Sequence, residues 1–458
     1  MLFSLAMAGA LAGVPAVTVK SPAQRRIGSI TLRSCEPAST YYCGALERRL
    51  DPSGKIAGRI GIGFTWLRHG DPGAAPASTI VAAEGGPGYP SGASRASYRT
   101  LFGTLLRSHD LLLMDDRGTG RSGAIDCEPL QSRPVTMLSD VARCGAALGV
   151  TSDLYGSAFA ADDLDALLSA LAIPKVDLYG DSYGTFFVQV FAARHPQRVR
   201  SLTLDGAYPA VDDDPWYPSY APTIRHAFTI VCERSRECRA RPGTTLSRIG
   251  ELLRVVRRAR APIAPAQLAF VMDSAGLDPL AYRDLDAAAG AYLAGDTVPL
   301  QRLVREAYVY EERNAGTAVD HSQGLFAAAS CQDNPEVYDM RAAPRSRERQ
   351  WKRILNAKIS SDPQLFDPFT IPEFLAMPPD FSYVPLCQSW PVALEYPAGH
   401  AVPHAARMPR VPALVLTGEL DTITTPAEGD AAAALFPGAH RVIVANSGHV
   451  TAVGDTHG

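Results

Sequence analysis

Gly180-Asp181-Ser182-Tyr183-Gly184 has the pattern Gly-x-Ser-x-Gly, in the setting that lets such a serine do chemistry. Lys175-Val176-Asp177-Leu178-Tyr179, just before it, reads as a short strand, and residues 185–195 read as an apolar helix. A strand that turns this sharply into a helix strains the serine backbone and exposes its Oγ. Glycines flank the serine because a Cβ at either place would meet the neighbouring strand or helix. Inert glycine-rich turns can show the same five-residue pattern. The strand and helix on either side favour a nucleophile instead.

A serine hydroxyl attacks only when a base removes its proton. That base is usually a histidine held in one tautomer by a carboxylate. Residues 411–417 read as a buried strand that runs into Gly418-Glu419-Leu420-Asp421, so Asp421 lies just past a strand end. A helical run at 427–435 and a strand at 440–445 follow, ending in Asn446-Ser447-Gly448-His449. His449 therefore also follows a strand end, where catalytic groups of open parallel sheets collect. Asp421 as a cap of the next helix, and Glu419 as the acid, are the alternatives. Of the ten histidines, His449 stands apart because a strand and a Ser-Gly turn deliver it after the acid.

Acyl transfer also needs two N–H groups aimed at the developing oxyanion. Tyr183, next to the nucleophile, supplies one. The strand at 78–83 leads into Glu84-Gly85-Gly86-Pro87-Gly88, whose glycines let the backbone approach a substrate closely. Gly86 is the favoured second donor, with Gly85 close enough to compete. The apolar run 111–114 ends in Asp115-Asp116-Arg117-Gly118-Thr119-Gly120-Arg121-Ser122. It lacks a phosphate-loop pattern, and Asp116 with Arg117 is expected to form an ion pair at the site rim.

Together, Glu84-Gly-Gly-Pro-Gly88, Asp116-Arg-Gly-Thr-Gly-Arg-Ser122, Gly180-Asp-Ser-Tyr-Gly184 and 418–426 resemble the proline iminopeptidase and tripeptidyl aminopeptidase family. These are serine exopeptidases with the α/β-hydrolase fold, and the Asp-Ser-Tyr elbow and many cysteines are similar to the secreted tripeptidyl aminopeptidase branch. The resemblance implies hydrolysis of short peptides from a free N-terminus, without metal or organic cofactor. It implies Ser182 as nucleophile, His449 as general base and acid, Asp421 as its orienter, and the Gly86 and Tyr183 amides as the oxyanion hole. Glu84 stands where proline iminopeptidases carry histidine, which argues against strict proline specificity. The chain stops nine residues after His449, where the family continues through a further helix. A carboxylesterase with the same triad, and a non-catalytic binding protein retaining the fold, are the alternative readings.

Positioning these groups requires an α/β fold: a mainly parallel sheet with helices on both faces. Strands are expected at 27–32, with a hairpin partner at 60–67, and then after residues 77, 109, 175 and 199, with a helix at 159–171 between. Residues 1–26 are expected to be a signal-like or disordered segment, 27–206 and 409–458 the two parts of the core, and 207–408 an inserted cap. Helical patterns at 221–232, 246–260 and 298–312 support that cap. A cap would exclude water and restrict access to small substrates or chain ends. An aminopeptidase must also bind the substrate ammonium, and Glu84, Glu311, Glu312 and Asp333 are the candidate carboxylates.

A net charge of −3 gives no reason to expect nucleic acid or an anionic membrane as partner; the resemblance implies a peptide substrate, and the esterase alternative a small ester. Residues 1–19 are apolar with small-residue steps, as in a secretory signal lacking its basic start. Glycines and Pro15 interrupt that run, which argues against stable membrane insertion. The cysteines, eight in all, allow many connectivities; pairing by proximity is the expectation, Cys35 with Cys43, Cys127 with Cys144, and Cys232 with Cys238, leaving Cys331 and Cys387. No Cys-x-x-Cys suggests zinc, and disulfides point to a secreted or extracytoplasmic location.

Overall fold

The computed structural model describes residues 24–36, 40–71, 73–132, 138–258, 261–314, 316–377, 384–392, 396 and 400–454, and the side chains of 310–314 lie outside that description. The signal-like segment 1–19 also lies outside it. One sheet of ten strands runs in the order β1-β2-β3-β4-β6-β5-β7-β8-β9-β10. The strands are β1 (Gln24–Ile27), β2 (Ile30–Ser34), β3 (Tyr41–Arg49), β4 (Arg59–Leu67), β5 (Ser78–Ala83), β6 (His109–Met114), β7 (Val176–Asp181), β8 (Val199–Asp205), β9 (Ala413–Gly418) and β10 (His440–Val444).

The first four strands are an antiparallel meander, and from β6 to β10 every pairing is parallel. β5 and β7 at the centre are almost wholly buried, because helices cover both faces of parallel strands. The helices Ser157–Ala170 and Tyr183–Arg194 supply much of that cover.

The opening differs from the expected pair of strands. A tight turn at Gly28 (φ +54°) splits the first run into β1 and β2, and the partner of β4 is β3, not the segment 27–32. A Cβ on Gly28 would stand 2.2 Å from the Ala170 carbonyl oxygen, so only glycine fits where this turn meets the helix. The charged end of β3, Glu47-Arg48-Arg49, hid that strand from the hydrophobic pattern.

Between β8 and β9 the described residues form helices and no strand, among them Tyr220–Arg234, Thr245–Val256, Pro265–Ser274, Leu280–Leu293, Val298–Asn314, Gln323–Asp333 and Pro344–Ser361. Four disulfides join Cys35–Cys43, Cys127–Cys144, Cys232–Cys238 and Cys331–Cys387. Among the described residues no helix is long and apolar enough to cross a membrane.

Candidate active site

Ser182 sits between β7 and the helix Tyr183–Arg194 with φ +50° and ψ −124°, a conformation that non-glycine residues hold only at a cost of about 1–3 kcal/mol. Its glycine neighbours are required by contact. A Cβ on Gly184 would lie 2.1 Å from the Ala83 carbonyl oxygen of β5, and one on Gly180 would lie 2.3 Å from the Gly184 carbonyl oxygen.

Ser182 Oγ lies 2.9 Å from His449 Nε2, and His449 Nδ1 lies 2.9 Å from Asp421 Oδ2. Asp421 is fully buried, and its Oδ1 accepts the N–H groups of Ile423 and Thr424, each at 2.8 Å. The Thr424 hydroxyl donates to Asp421 Oδ2 at 2.8 Å and lies 3.1 Å from His449 Nδ1. Because Asp421 can only accept, the imidazole proton resides on Nδ1, leaving Nε2 free to accept from the serine. The following helix, Pro426–Ala434, is capped by Thr425 and Glu428, so Asp421 is not its cap. Glu419 faces away, paired with Arg234 at 2.6 Å and accepting the Asn446 N–H at 2.9 Å.

The loop after β5 lies over the elbow. A Cβ on Gly85 would be 2.8 Å from Ser182 Cβ, while Gly86, at φ +110°, lines one cavity together with Ser182 and Tyr183. Gly88 ties the loop to the helical insertion, its carbonyl accepting the Ser322 N–H at 3.0 Å.

The expected ion pair between Asp116 and Arg117 does not form. Arg117 is buried and pairs with Asp163 at 2.8 Å, its Nε–H donating to that carboxylate, and its Nη1 donates to the carbonyls of Leu50 and Leu154. It is a structural strut that joins the meander, at Leu50 just past β3, to Asp163 in the helix Ser157–Ala170.

The candidate ammonium-binding carboxylates are scattered. Glu84 lies behind the elbow beside buried Asp181, whose carboxyl is pushed well above the usual range by burial and by the Glu84 charge. Asp333 is tied to Ser157, accepting its N–H at 3.0 Å, and to the Tyr183 hydroxyl at 3.0 Å. Neither is part of the cavity wall. The Glu311 and Glu312 side chains lie outside the described residues.

The cavity beside Ser182 has a volume of about 180 Å³. Trp216, Tyr217, Phe366 and Phe374 give it an aromatic wall, and Asp213, Asp273 and Glu336 place carboxyls on it. Burial lifts Asp213 to about 7. Asp213 was legible only as part of the run Asp212-Asp213-Asp214, and Asp273 and Glu336 carry no local signal. Asp205 at the end of β8 also went unread. Its carbonyl accepts the Ser182 N–H, and its carboxylate holds the segment just past His449.

Residues 79–230 match the family model described as alpha/beta hydrolase fold, and residues 376–457 match the one described as TAP-like protein. The chain is 32% identical over 191 residues to the serine protease Hip1 of Mycobacterium tuberculosis (strain H37Rv), covering 36% of this chain and 35% of that one. It is 25% identical over 178 residues to the putative hydrolase YuaR of Escherichia coli (strain K12), covering 35% of each. The matched region thus spans about a third of the length of these curated relatives. Among solved structures, Est816, described as an N-acyl homoserine lactone degrading enzyme, aligns at 15% identity with a TM-score of 0.36, covering 86% of this chain and 93% of that one. The chain has the α/β-hydrolase fold, with a TAP-like segment at its C-terminal end.

Proposed function

We propose that this chain is an extracytoplasmic serine aminopeptidase that cleaves short peptides from a free N-terminus. The observation that carries the reading is the hydrogen-bonded line from Ser182 through His449 to Asp421, opening on a cavity walled by carboxyls and aromatic rings. The TAP-like match and the similarity to the serine protease Hip1 support a peptidase. The four disulfides fit an oxidising compartment.

In this reading His449 Nε2 takes the Ser182 proton as Oγ attacks the scissile carbonyl carbon. The Gly86 and Tyr183 amides stabilise the oxyanion. The intermediate collapses, His449 gives the proton to the leaving amine, and an acyl-enzyme remains on Oγ. Water, deprotonated by the same imidazole, then attacks the acyl carbon and releases the acid. Asp421 stays ionised and steadies the imidazolium that forms in each half-reaction. The insertion 207–408 serves as the cap: Trp216, Phe366 and Phe374 shield the acyl group from bulk water. That apolar wall also suits a small ester, so an esterase is the second reading.

The test compares a peptide anilide with a free N-terminus, its N-acetyl form and a p-nitrophenyl ester, using wild type and Ser182→Ala. Ser182-dependent cleavage of the free-amine anilide alone supports the aminopeptidase. Equal cleavage of the blocked peptide removes amine recognition, and turnover of the ester alone favours the esterase. Turnover retained in Ser182→Ala removes the nucleophile.

A further inference from the structure

Asp273 ends the helix Pro265–Ser274 and lines the same cavity as Ser182, yet it is only 5% exposed. Its carboxylate has no hydrogen bond or ion pair among the described residues. The other carboxyls of that wall are engaged. Glu428 accepts the Thr425 N–H at 2.7 Å, Asp214 accepts the Trp216 N–H at 2.9 Å, Glu336 bonds to Tyr338, and Asp213 accepts the Asp214 N–H. An unpaired buried carboxyl costs a folded protein several kcal/mol, roughly, unless something meets it.

Among the described residues, the groups facing Asp273 add no positive charge. Asp421 faces it from the acid loop, Tyr217 and Tyr220 from the segment leading into and starting the helix Tyr220–Arg234, and Tyr282 from the helix Leu280–Leu293. The Tyr220 hydroxyl is itself buried without a partner. Tyr217 and Tyr282 donate to carbonyls of the acid loop, at Thr422 and Leu420. Asp273 also sits at the negative end of its helix, whose last turn carries no basic residue. Burial first, and then the Asp421 charge, push its pKa well above the usual carboxylate range.

Its position relative to the catalytic groups is rigidly set. The Asp273 carbonyl accepts the Thr422 hydroxyl at 3.2 Å, and the Gly276 carbonyl accepts the His449 N–H at 2.7 Å. We propose that Asp273 is the counter-charge of a subsite for a cationic nitrogen, a primary ammonium held between its carboxylate and the aromatic wall. The nitrogen belongs either to the substrate's N-terminus or to a lysine side chain. The inference rests on the Ser182 cavity being the acyl-transfer site.

Equilibrium binding of benzylamine and of its neutral counterpart benzyl alcohol to Ser182→Ala tests the subsite without turnover. Benzylamine is expected to bind at least about tenfold more tightly, and Asp273→Asn in the same background is expected to erase the preference. Equal binding of the two probes to Ser182→Ala, or a preference that survives Asp273→Asn, overturns the proposal. The source of the nitrogen is read from KM in Asp273→Asn against lysyl and leucyl anilides, free and N-acetylated. A rise confined to free amines assigns the N-terminus, a rise confined to lysyl substrates assigns the side chain, and an equal rise in all four overturns the subsite. A benzylamine preference without any anilide cleavage would keep the subsite and sink the peptidase. Anilide cleavage without the preference would do the reverse.

Discussion

Asp205 holds Thr451 twice, its Oδ1 accepting both the N–H and the hydroxyl of Thr451 at 2.9 Å. Oδ2 takes the Ala452 N–H at 2.8 Å and the Tyr179 hydroxyl at 2.9 Å. The carbonyl of the same residue accepts the Ser182 N–H at 3.0 Å. One residue at the end of β8 thus fixes Ser182 on one side and the segment two residues past His449 on the other.

Removing that carboxylate releases His449 without touching it. Asp205→Ala leaves the Thr451 and Ala452 N–H groups and the Tyr179 hydroxyl without an acceptor, a loss of about 3 kcal/mol or more. Steady-state kinetics are expected to show kcat falling by roughly 10–100-fold with KM little changed, because a misplaced base weakens the transition state and not substrate binding. A change confined to KM would contradict this positioning role.

Gly184 has no room for a methyl group. Gly184→Ala would drive its Cβ into the Ala83 carbonyl, at 2.1 Å, and push the loop that begins at Glu84 away from Ser182. Urea unfolding is expected to show a loss of about 3 kcal/mol or more, with activity lost even in the folded fraction. Unchanged stability would mean that the elbow and β5 do not approach so closely.

Burial lifts the Asp333 carboxyl to about 6, against a bonding contribution from Ser157 and Tyr183 that lowers it. The folded chain therefore binds this proton more tightly than the unfolded chain does. Its contribution to stability is fully present below about pH 4, the usual carboxylate range, and is lost as pH rises through about 6. Denaturant titrations between pH 4 and 7 are expected to show a downward component on the order of 2–3 kcal/mol that is absent in Asp333→Asn. Identical pH profiles for the two proteins would refute it.

Cys331 and Cys387 close a loop with a sequence separation of 56. In the chain-entropy account such a cross-link contributes about 4 kcal/mol. Cys331 shares a helix with Ser330, which lines the cavity. The double variant Cys331→Ala/Cys387→Ala is expected to unfold at lower denaturant and to raise KM as the cavity wall loosens. Non-reducing peptide mapping of the wild-type protein checks the pairing itself, and free thiols at both positions would contradict it.

The positions of Ser182, Asp421 and His449 were legible because each stands in a short motif just past a strand end, and in a parallel sheet neighbouring strand ends converge. Three of the disulfides join cysteines close in sequence, where proximity points to them, whereas Cys331 and Cys387, with a sequence separation of 56, are joined only by the packed chain. The elbow glycines were readable for a related reason: a tight turn between a strand and a helix leaves no space for a Cβ wherever it occurs. What the tertiary structure alone decided is which side chains meet across the fold. The partner of Arg117 is Asp163 and not adjacent Asp116, the His449 N–H is held by the Gly276 carbonyl of the insertion, and Asp205 reaches Thr451 across 246 residues of sequence. The carboxyls on the cavity wall come from Asp213, Asp214, Asp273 and Glu336 in the insertion and from Glu428 after β9, residues far apart in sequence. Local sequence sets backbone conformation through sterics and periodicity. The burial of a charge, and the partner it finds or lacks, depends on distant segments brought together only when the chain packs.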